Sequence, residues 1–317
     1  MPFSSLYKKE AKGRHFLVED HNLRFAQSAR LYGITQKRAS EYNQLKRNDL
    51  FALAISNFSK TRNNVDAIPT NNDLANNEPN INQKQVEFMI KRSGPFDGDF
   101  QNLPFTTQEV DNISHLFTVD KGQNIVIKND KATEKNIWML NNNRELEKYK
   151  ILHFATHAVY NNKKIDNTCM VLFDHDSIGP GKDSENDGYL SIPEIMRLKL
   201  KADLVVLSAC ETAQGEALPG EGVYGMPYAF LLAGANNVIS SLWSVNDKTT
   251  EAFFIEFYSR VQHGENYNEA LNNIYRLFIL KQKGKLNILK AFSKEMEDIL
   301  NKPEYLNPSF WAAFVLW

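Results

Sequence analysis

Five short apolar runs limit what this chain can fold into: DLFALAIS (49–56), KILHFATH (150–157), LVVLSA (204–209), NVISSLWSV (237–245) and SFWAAFVLW (309–317). Each has strand length, and LVVLSA and VISSLW have no consistently polar face. A strand that is apolar on both sides belongs inside a parallel sheet covered by helices on both faces. The segments between the runs supply the helices. PFTTQEVDNISHLF carries Val110, Ile113 and Leu116–Phe117 at helical spacing behind a threonine cap. KATEKNIWMLNNNRELEKY places Ile137, Met139 and Leu140 on a helix, and SIPEIMRLKL opens a helix at Ser191 with Pro193 in its first turn. GVYGMPYAFLLAGA reads as a helix closed near Gly234, KTTEAFFIEFYSRVQHG as one stopped at Gly264, and NYNEALNNIYRLFIL as the next. QNIVIKND and TCMVLFD are further strands, and HFLVEDHNLRFAQSARLY reads as strand, turn and strand. Strands alternating with helices predict βαβ units and one α/β domain over residues 1–317.

Two stretches break the pattern. Residues 63–85 are crowded with asparagine and nearly lack large apolar side chains, so an exposed insertion is expected over 59–85. Asp174 to Gly188 (DHDSIGPGKDSENDG) reads as a loop. Both are exposed sites for nicking or self-cleavage, at Lys60, Arg62 or Lys182 if a basic residue is preferred.

Composition narrows the function classes. A formal charge of −1 gives no broad electrostatic reason to bind nucleic acid or an anionic membrane. Two cysteines, Cys169 and Cys210, imply no disulfide framework and fit a reducing cytoplasm. MPFSSLYKKEAKGRH lacks the apolar region of a signal peptide, and YAFLLAGA is far too short to span a bilayer. No phosphate-loop or dinucleotide spacing occurs among Gly215, Gly220, Gly222 and Gly225, and no metal or cofactor site is expected.

Reactive residues in an open parallel sheet gather beyond the carboxyl ends of its strands. KILHFAT runs into His157 and LVVLSA runs into Cys210, in that order and 53 residues apart. That separation allows a hairpin, a loop and a helix returning to a neighbouring parallel strand. A thiol needs a base to become a thiolate near neutral pH, and an imidazole supplies one. Cys169, inside TCMVLFD, reads as core. His153 reads as a satisfied core histidine, and His175 as part of a solvated acidic loop. Glu211 and Glu221 flank the cysteine loop, where they orient it, touch substrate or are simply solvated.

HFATHAVYNN, the block DLVVLSACETAQGEALPGEGVYGMPYAFLLAGANNVISSLWSVNDKTTEAFFIEFY and the ending NPSFWAAFVLW together resemble the CHAT domain, a family of caspase-like cysteine peptidases related to separase. LPFTTQEVDNISHLF, KATEKNI and YLSIPEIMRLKLKADLVVLSACETA agree with it, so the resemblance covers nearly the whole chain. It implies a caspase-like three-layer sandwich with a mostly parallel central sheet. It also implies a cysteine endopeptidase in which Cys210 is the nucleophile and His157 the general base and acid. Backbone N–H groups of Ala158 and Cys210 would serve the oxyanion, and a backbone carbonyl would suffice to orient the imidazole. SLWSVNDKTT resembles the separase segment that lines the pocket for a basic residue. This makes Asp247 a partner for substrate Arg or Lys and Trp243 a pocket wall; Glu211, beside the cysteine, is a further candidate substrate contact. Asp247 also reads as the N-cap of the following helix, and both roles can coexist.

The family usually has glycine where this chain has Ala158. If that position needed a positive φ, alanine would cost about 1 kcal/mol and tilt the donor. Two rival readings follow: a catalytically weak scaffold or interaction module, and a thiol hydrolase or acyl-transferase acting on a non-protein substrate. MPFSSL resembles a family segment already past the usual first strand, so that strand is expected to be absent. Helical repeats of the tetratricopeptide type, or a separate activator, are the expected regulatory partners.

Overall fold

The structure, a computed structural model, describes residues 6–10, 13–58, 100–117, 124–161, 163–175, 186–209, 212, 215–218, 222–286 and 292–317. A hairpin of β1 (Tyr7–Glu10) and β2 (Gly13–Phe16) comes first, followed in chain order by β3 (Asn48–Ala54), β4 (Ile125–Lys128) and β5 (Tyr149–Ala155). Short strands β6 (Ala158–Val159), β7 (Cys169–Val171) and β8 (Tyr189–Ser191) form a small antiparallel sheet. Then come β9 (Leu204–Ser208), the hairpin β10 (Gly215–Leu218) and β11 (Gly222–Gly225), β12 (Val238–Ser241) and β13 (Phe314–Leu316).

Six of these make the central sheet, in the order β13-β12-β9-β5-β3-β4. All its pairings are parallel except the first in that order, where β13 runs antiparallel to β12. The expected mostly parallel sheet is therefore correct, and of the five apolar runs only SFWAAFVLW supplies an antiparallel strand. Phe51 and Leu53 of β3, Leu152 and Phe154 of β5, and Val205 and Leu207 of β9 enter one apolar layer. Their alternates Leu50 and Ala52, Ile151 and Ala155, and Leu204 and Val206 enter the other. Side chains alternate along a strand, so a strand buried on both faces is apolar at nearly every position; His153 of β5 is a buried exception.

On the first face lie the helices Glu134–Asn142, Ile192–Met196 and Met226–Ala233. On the second lie Thr106–Leu116, Asp247–Gln262, Tyr267–Gln282 and Lys294–Leu300. The result is a three-layer α/β sandwich. Glycine is required at Gly234, where φ is +122° and an added Cβ would stand 2.0 Å from the Leu200 carbonyl oxygen.

Several local expectations change. The second strand expected in HFLVEDHNLRFAQSARLY is the start of a helix, Ala29–Tyr42, capped by Ser28. The helix expected from Gly222 begins at Met226, because GVYG pairs with Gly215–Leu218 as β11. SFWAAFVLW turns through a short helix, Pro308–Trp311, before it becomes β13. No threonine caps the helix Thr106–Leu116; the Thr106 hydroxyl donates instead to the carbonyls of Ile55 and Leu103, each at 2.9 Å. Met139 is exposed. The asparagine-rich stretch 63–85, with Lys60 and Arg62, and residues 176–185 with Lys182, lie outside the described residues.

Candidate active site

The pairing of β5 with β9 ends at Ala155 opposite Ser208. His157 follows two residues beyond Ala155, and position 210 follows two residues beyond Ser208 in sequence. Cys210 and Glu211 themselves lie outside the described residues.

His157 is 7% exposed. Its ring sits 4.6 Å from Phe58 and 5.3 Å from Phe100, centroid to centroid. Its Nε2 lies 2.7 Å from the carbonyl oxygen of Gln101. A carbonyl only accepts, so Nε2 carries the proton and, in the neutral ring, Nδ1 carries the lone pair. Phe58 and Phe100 are the described residues on either side of 59–99. Their ends are stitched together: Phe58 N–H donates to Asn102 Oδ1 at 2.9 Å, and Leu103 N–H to the Ser56 carbonyl at 2.9 Å. Phe58 and Phe100 thus both pack against the histidine ring.

Both flanks of position 210 are fastened to β12. The Ser241 hydroxyl donates to the Ala209 carbonyl at 2.6 Å, and Ser241 N–H donates to Thr212 Oγ1 at 3.0 Å. A cleft opens here, lined by Thr156, His157, Ser208, Asp247, Thr250 and Phe314 among others. Ser208 Oγ is buried in its wall and has no hydrogen-bond partner among the described residues. Asp247 is half-buried in the first turn of its helix. The N-cap is Asn246 instead, whose side chain accepts from Lys248 N–H at 3.1 Å and Thr249 N–H at 3.3 Å. Trp243 is half-buried and directs its indole N–H to the Ser309 carbonyl at 2.8 Å.

Ala158 lies in β6, opposite Met170, and is absent from the non-glycine residues with positive φ. Val171 N–H donates to the His157 carbonyl at 2.9 Å. The alternation of an antiparallel ladder then turns the Ala158 N–H away from β7.

Three other groups complete the picture. Cys169 is fully buried, and burial, then Asp187 and Glu194, push its thiol well up, as a core thiol requires. His153 is buried and doubly hydrogen-bonded, to Glu109 and Tyr258. His175 departs from the solvated-loop reading: it is 2% exposed, packed on Phe58, Phe100 and Tyr189, with Nδ1–H donated to the Leu172 carbonyl at 2.8 Å. Aromatic neighbours distant in sequence bury it, which local acidity does not reveal. Among the described residues no cluster of His, Cys, Asp and Glu could hold a metal ion, and no helix is long and apolar enough to cross a membrane.

Sequence reasoning missed Gln101, Ser208 and Ser241. Gln101 acts through its backbone, which leaves no side-chain signature. The serines closing two apolar strands, LVVLS and VISS, were the available signal.

The sheet is mostly parallel, and a histidine and, in the sequence, a cysteine follow the ends of two neighbouring strands. The family model described as CHAT domain matches residues 1–317, and the chain belongs to that family. Tetratricopeptide repeat protein 28 of Mus musculus and of Homo sapiens are each 29% identical to it over 127 residues, 40% of this chain. The match spans 4% of the length of those relatives. Among solved structures, the Arg-specific cysteine proteinase gingipain R of Porphyromonas gingivalis aligns over 89% of this chain and 50% of its own, at 10% identity and a TM-score of 0.43. The Saccharomyces cerevisiae separase–securin complex aligns over 89% and 13%, at 14% identity and a TM-score of 0.39.

Proposed function

We propose that the chain is a cysteine endopeptidase working through His157 and Cys210. The observation that carries this reading is the shared end of β5 and β9, Ala155 opposite Ser208, with each reactive residue two positions further along its strand's sequence. Cys210 Sγ attacks a peptide carbonyl while its proton passes to His157 Nδ1. The C–N bond then breaks as that proton moves to the leaving amine. Water, deprotonated by the same imidazole, hydrolyses the acyl-enzyme and frees Cys210. The Gln101 carbonyl holds Nε2–H throughout and favours the imidazolium, the orienting part that a carboxylate plays in serine triads. The Ala158 N–H, turned away from β7, and the Cys210 N–H are the oxyanion donors. Ala158 in an extended strand gives no ground for a weakened enzyme, the ground on which the scaffold reading rested.

Asp247, in the cleft with His157, selects a basic residue before the scissile bond; a carboxylate facing a guanidinium is a strong and directional pair. Trp243 and Glu211 border that subsite in the same reading. The tetratricopeptide name of the mammalian relatives supports regulation by helical repeats, with a separate activator as the alternative; two cysteines with no disulfide framework fit a reducing cytoplasm.

Peptidyl acyloxymethyl ketones with Arg, Lys, Asp or Leu before the warhead test the reading by intact mass and peptide mapping. Labelling of Cys210, fastest with Arg and Lys, is expected. No labelling by any probe, with upstream activators present, would sink the peptidase assignment. Equal rates for Arg, Lys and Leu would remove Asp247 as the selector.

A further inference from the structure

Four residues before His157, β5 carries His153, fully buried and idle in the chemistry above. Its Nε2 lies 3.0 Å from Glu109 Oε1 on helix Thr106–Leu116, and its Nδ1 lies 3.1 Å from the Tyr258 hydroxyl on helix Asp247–Gln262. With Nε2–H donated to the carboxylate, Nδ1 accepts from the phenol, and one imidazole ties the strand to both helices. A second carboxylate, Glu251, is buried beside this chain, 3% exposed against 1% for Glu109. Glu251 sits one turn along from Asp247 and next to Thr250, and both of those line the cleft.

The groups acting on Glu251 are of mostly one sign. Helix Thr106–Leu116 brings Glu109, together with Asn112, whose Nδ2 donates to Glu251 Oε1 at 3.3 Å. Helix Lys294–Leu300 brings Glu295, and Lys248, on its own helix, acts as a cation. From β5, His153 acts through Glu109.

We propose that Glu251 is a positioning residue: its proton keeps the first turns of helix Asp247–Gln262, with Asp247 and Thr250, docked on the cleft, and losing that proton sets two buried carboxylates against each other and releases those turns. Buried like charges repel far more strongly than exposed ones. The helix has a direction in which to yield, because its N-terminal end, Asn246, is exposed while Tyr258 stays anchored to His153. Burial first, then Glu109 and Glu295, holds the Glu251 carboxyl up at about 7, against its usual 4.5.

The direction of the effect follows from those values. Between about pH 4.5 and pH 7 the docked helix keeps a proton that the released helix has lost, so raising the pH through that window favours release. From about pH 6 to about pH 8.5 the release equilibrium grows about tenfold.

Hydrogen–deuterium exchange on the full chain, followed in peptides spanning 247–256 and corrected for intrinsic rates, reads this directly. The unmodified protein is expected to exchange about tenfold faster at about pH 8.5 than at about pH 6. Glu251→Gln should show no such rise, and Glu251→Asp should restore it. An equal rise in Glu251→Gln or no rise in the unmodified protein would each overturn the proposal. Should Glu251→Asp fail to fold, the comparison of the unmodified protein with Glu251→Gln still decides it. The readout needs no turnover, so this proposal and the peptidase reading can fail separately.

Discussion

Replacing Glu134 by glutamine should make the protein more stable at alkaline pH and remove part of its pH dependence. Glu134 is fully buried, with Oε2 accepting Gly188 N–H and Oε1 accepting the Trp138 indole N–H, each at 2.9 Å. Its own backbone N–H donates to Asp174 at 3.1 Å, so this one residue grips both Asp174 and Gly188. Two hydrogen bonds favour the charged form, yet burial outweighs them, and Glu194 and Asp187 add like charge; the carboxyl rises from 4.5 to about 7. An acid that holds its proton longer in the folded state stabilises the fold at low pH. Between about 4.5 and 7 the folded chain binds more protons than the unfolded one, so stability falls as pH rises through that window. The full loss is about 3 kcal/mol above pH 7. Glutamine cannot lose a proton, but it keeps only one acceptor oxygen, a constant cost of about 1 kcal/mol. Urea unfolding of both proteins in half-unit steps from about pH 5 to about pH 8.5 gives the comparison. Glu134→Gln should be slightly less stable at the acid end and about 2 kcal/mol more stable at the alkaline end. Parallel stability curves for the two proteins would refute the reasoning, since the pH-dependent part would then lie elsewhere.

Other substitutions test the cleft and its support. Ala158→Gly should cost about 0.5–1 kcal/mol in a melt and leave labelling of Cys210 within about twofold, because the strand needs no positive φ there; a tenfold gain would contradict the extended donor. Ser241→Ala removes the bond to the Ala209 carbonyl, costs about 1 kcal/mol and should slow labelling of Cys210 at saturating probe while leaving the probe's half-saturation nearly unchanged. Asp247→Asn should slow Arg and Lys probes by about tenfold or more and spare Leu probes; equal slowing would assign Asp247 to helix structure alone. Gly234→Ala forces a Cβ to within 2.0 Å of the Leu200 oxygen at a φ of +122° and should cost more than about 2 kcal/mol, read by thermal denaturation.

The central sheet was legible because burial on both faces leaves a continuous apolar signature, and β3, β5, β9 and β12 carry it. The helix Ala29–Tyr42 was not, since only Leu31, Thr35 and Tyr42 are buried along fourteen residues. Its polar attachments are long-range: Arg38 donates to the carbonyls of Leu231 and Ala235, and Tyr42 to those of Leu200 and Gly234. At the site, His157 announced itself by ending a strand. Gln101 could not, because any residue offers a carbonyl. Aspartate and asparagine stand side by side at 246–247 and both cap helices, so only the geometry assigns the cap to Asn246 and leaves Asp247 in the cleft.

Phe314, one wall of the cleft, belongs to β13, and it pairs with Ser241 across the sheet while its carbonyl accepts the Tyr275 hydroxyl. As a ribosome makes the chain, His157 emerges long before that wall exists. Contacts so far apart in sequence are also the slow ones to form. The cleft therefore exists only once segments as far apart in sequence as His157 and Phe314 have come together.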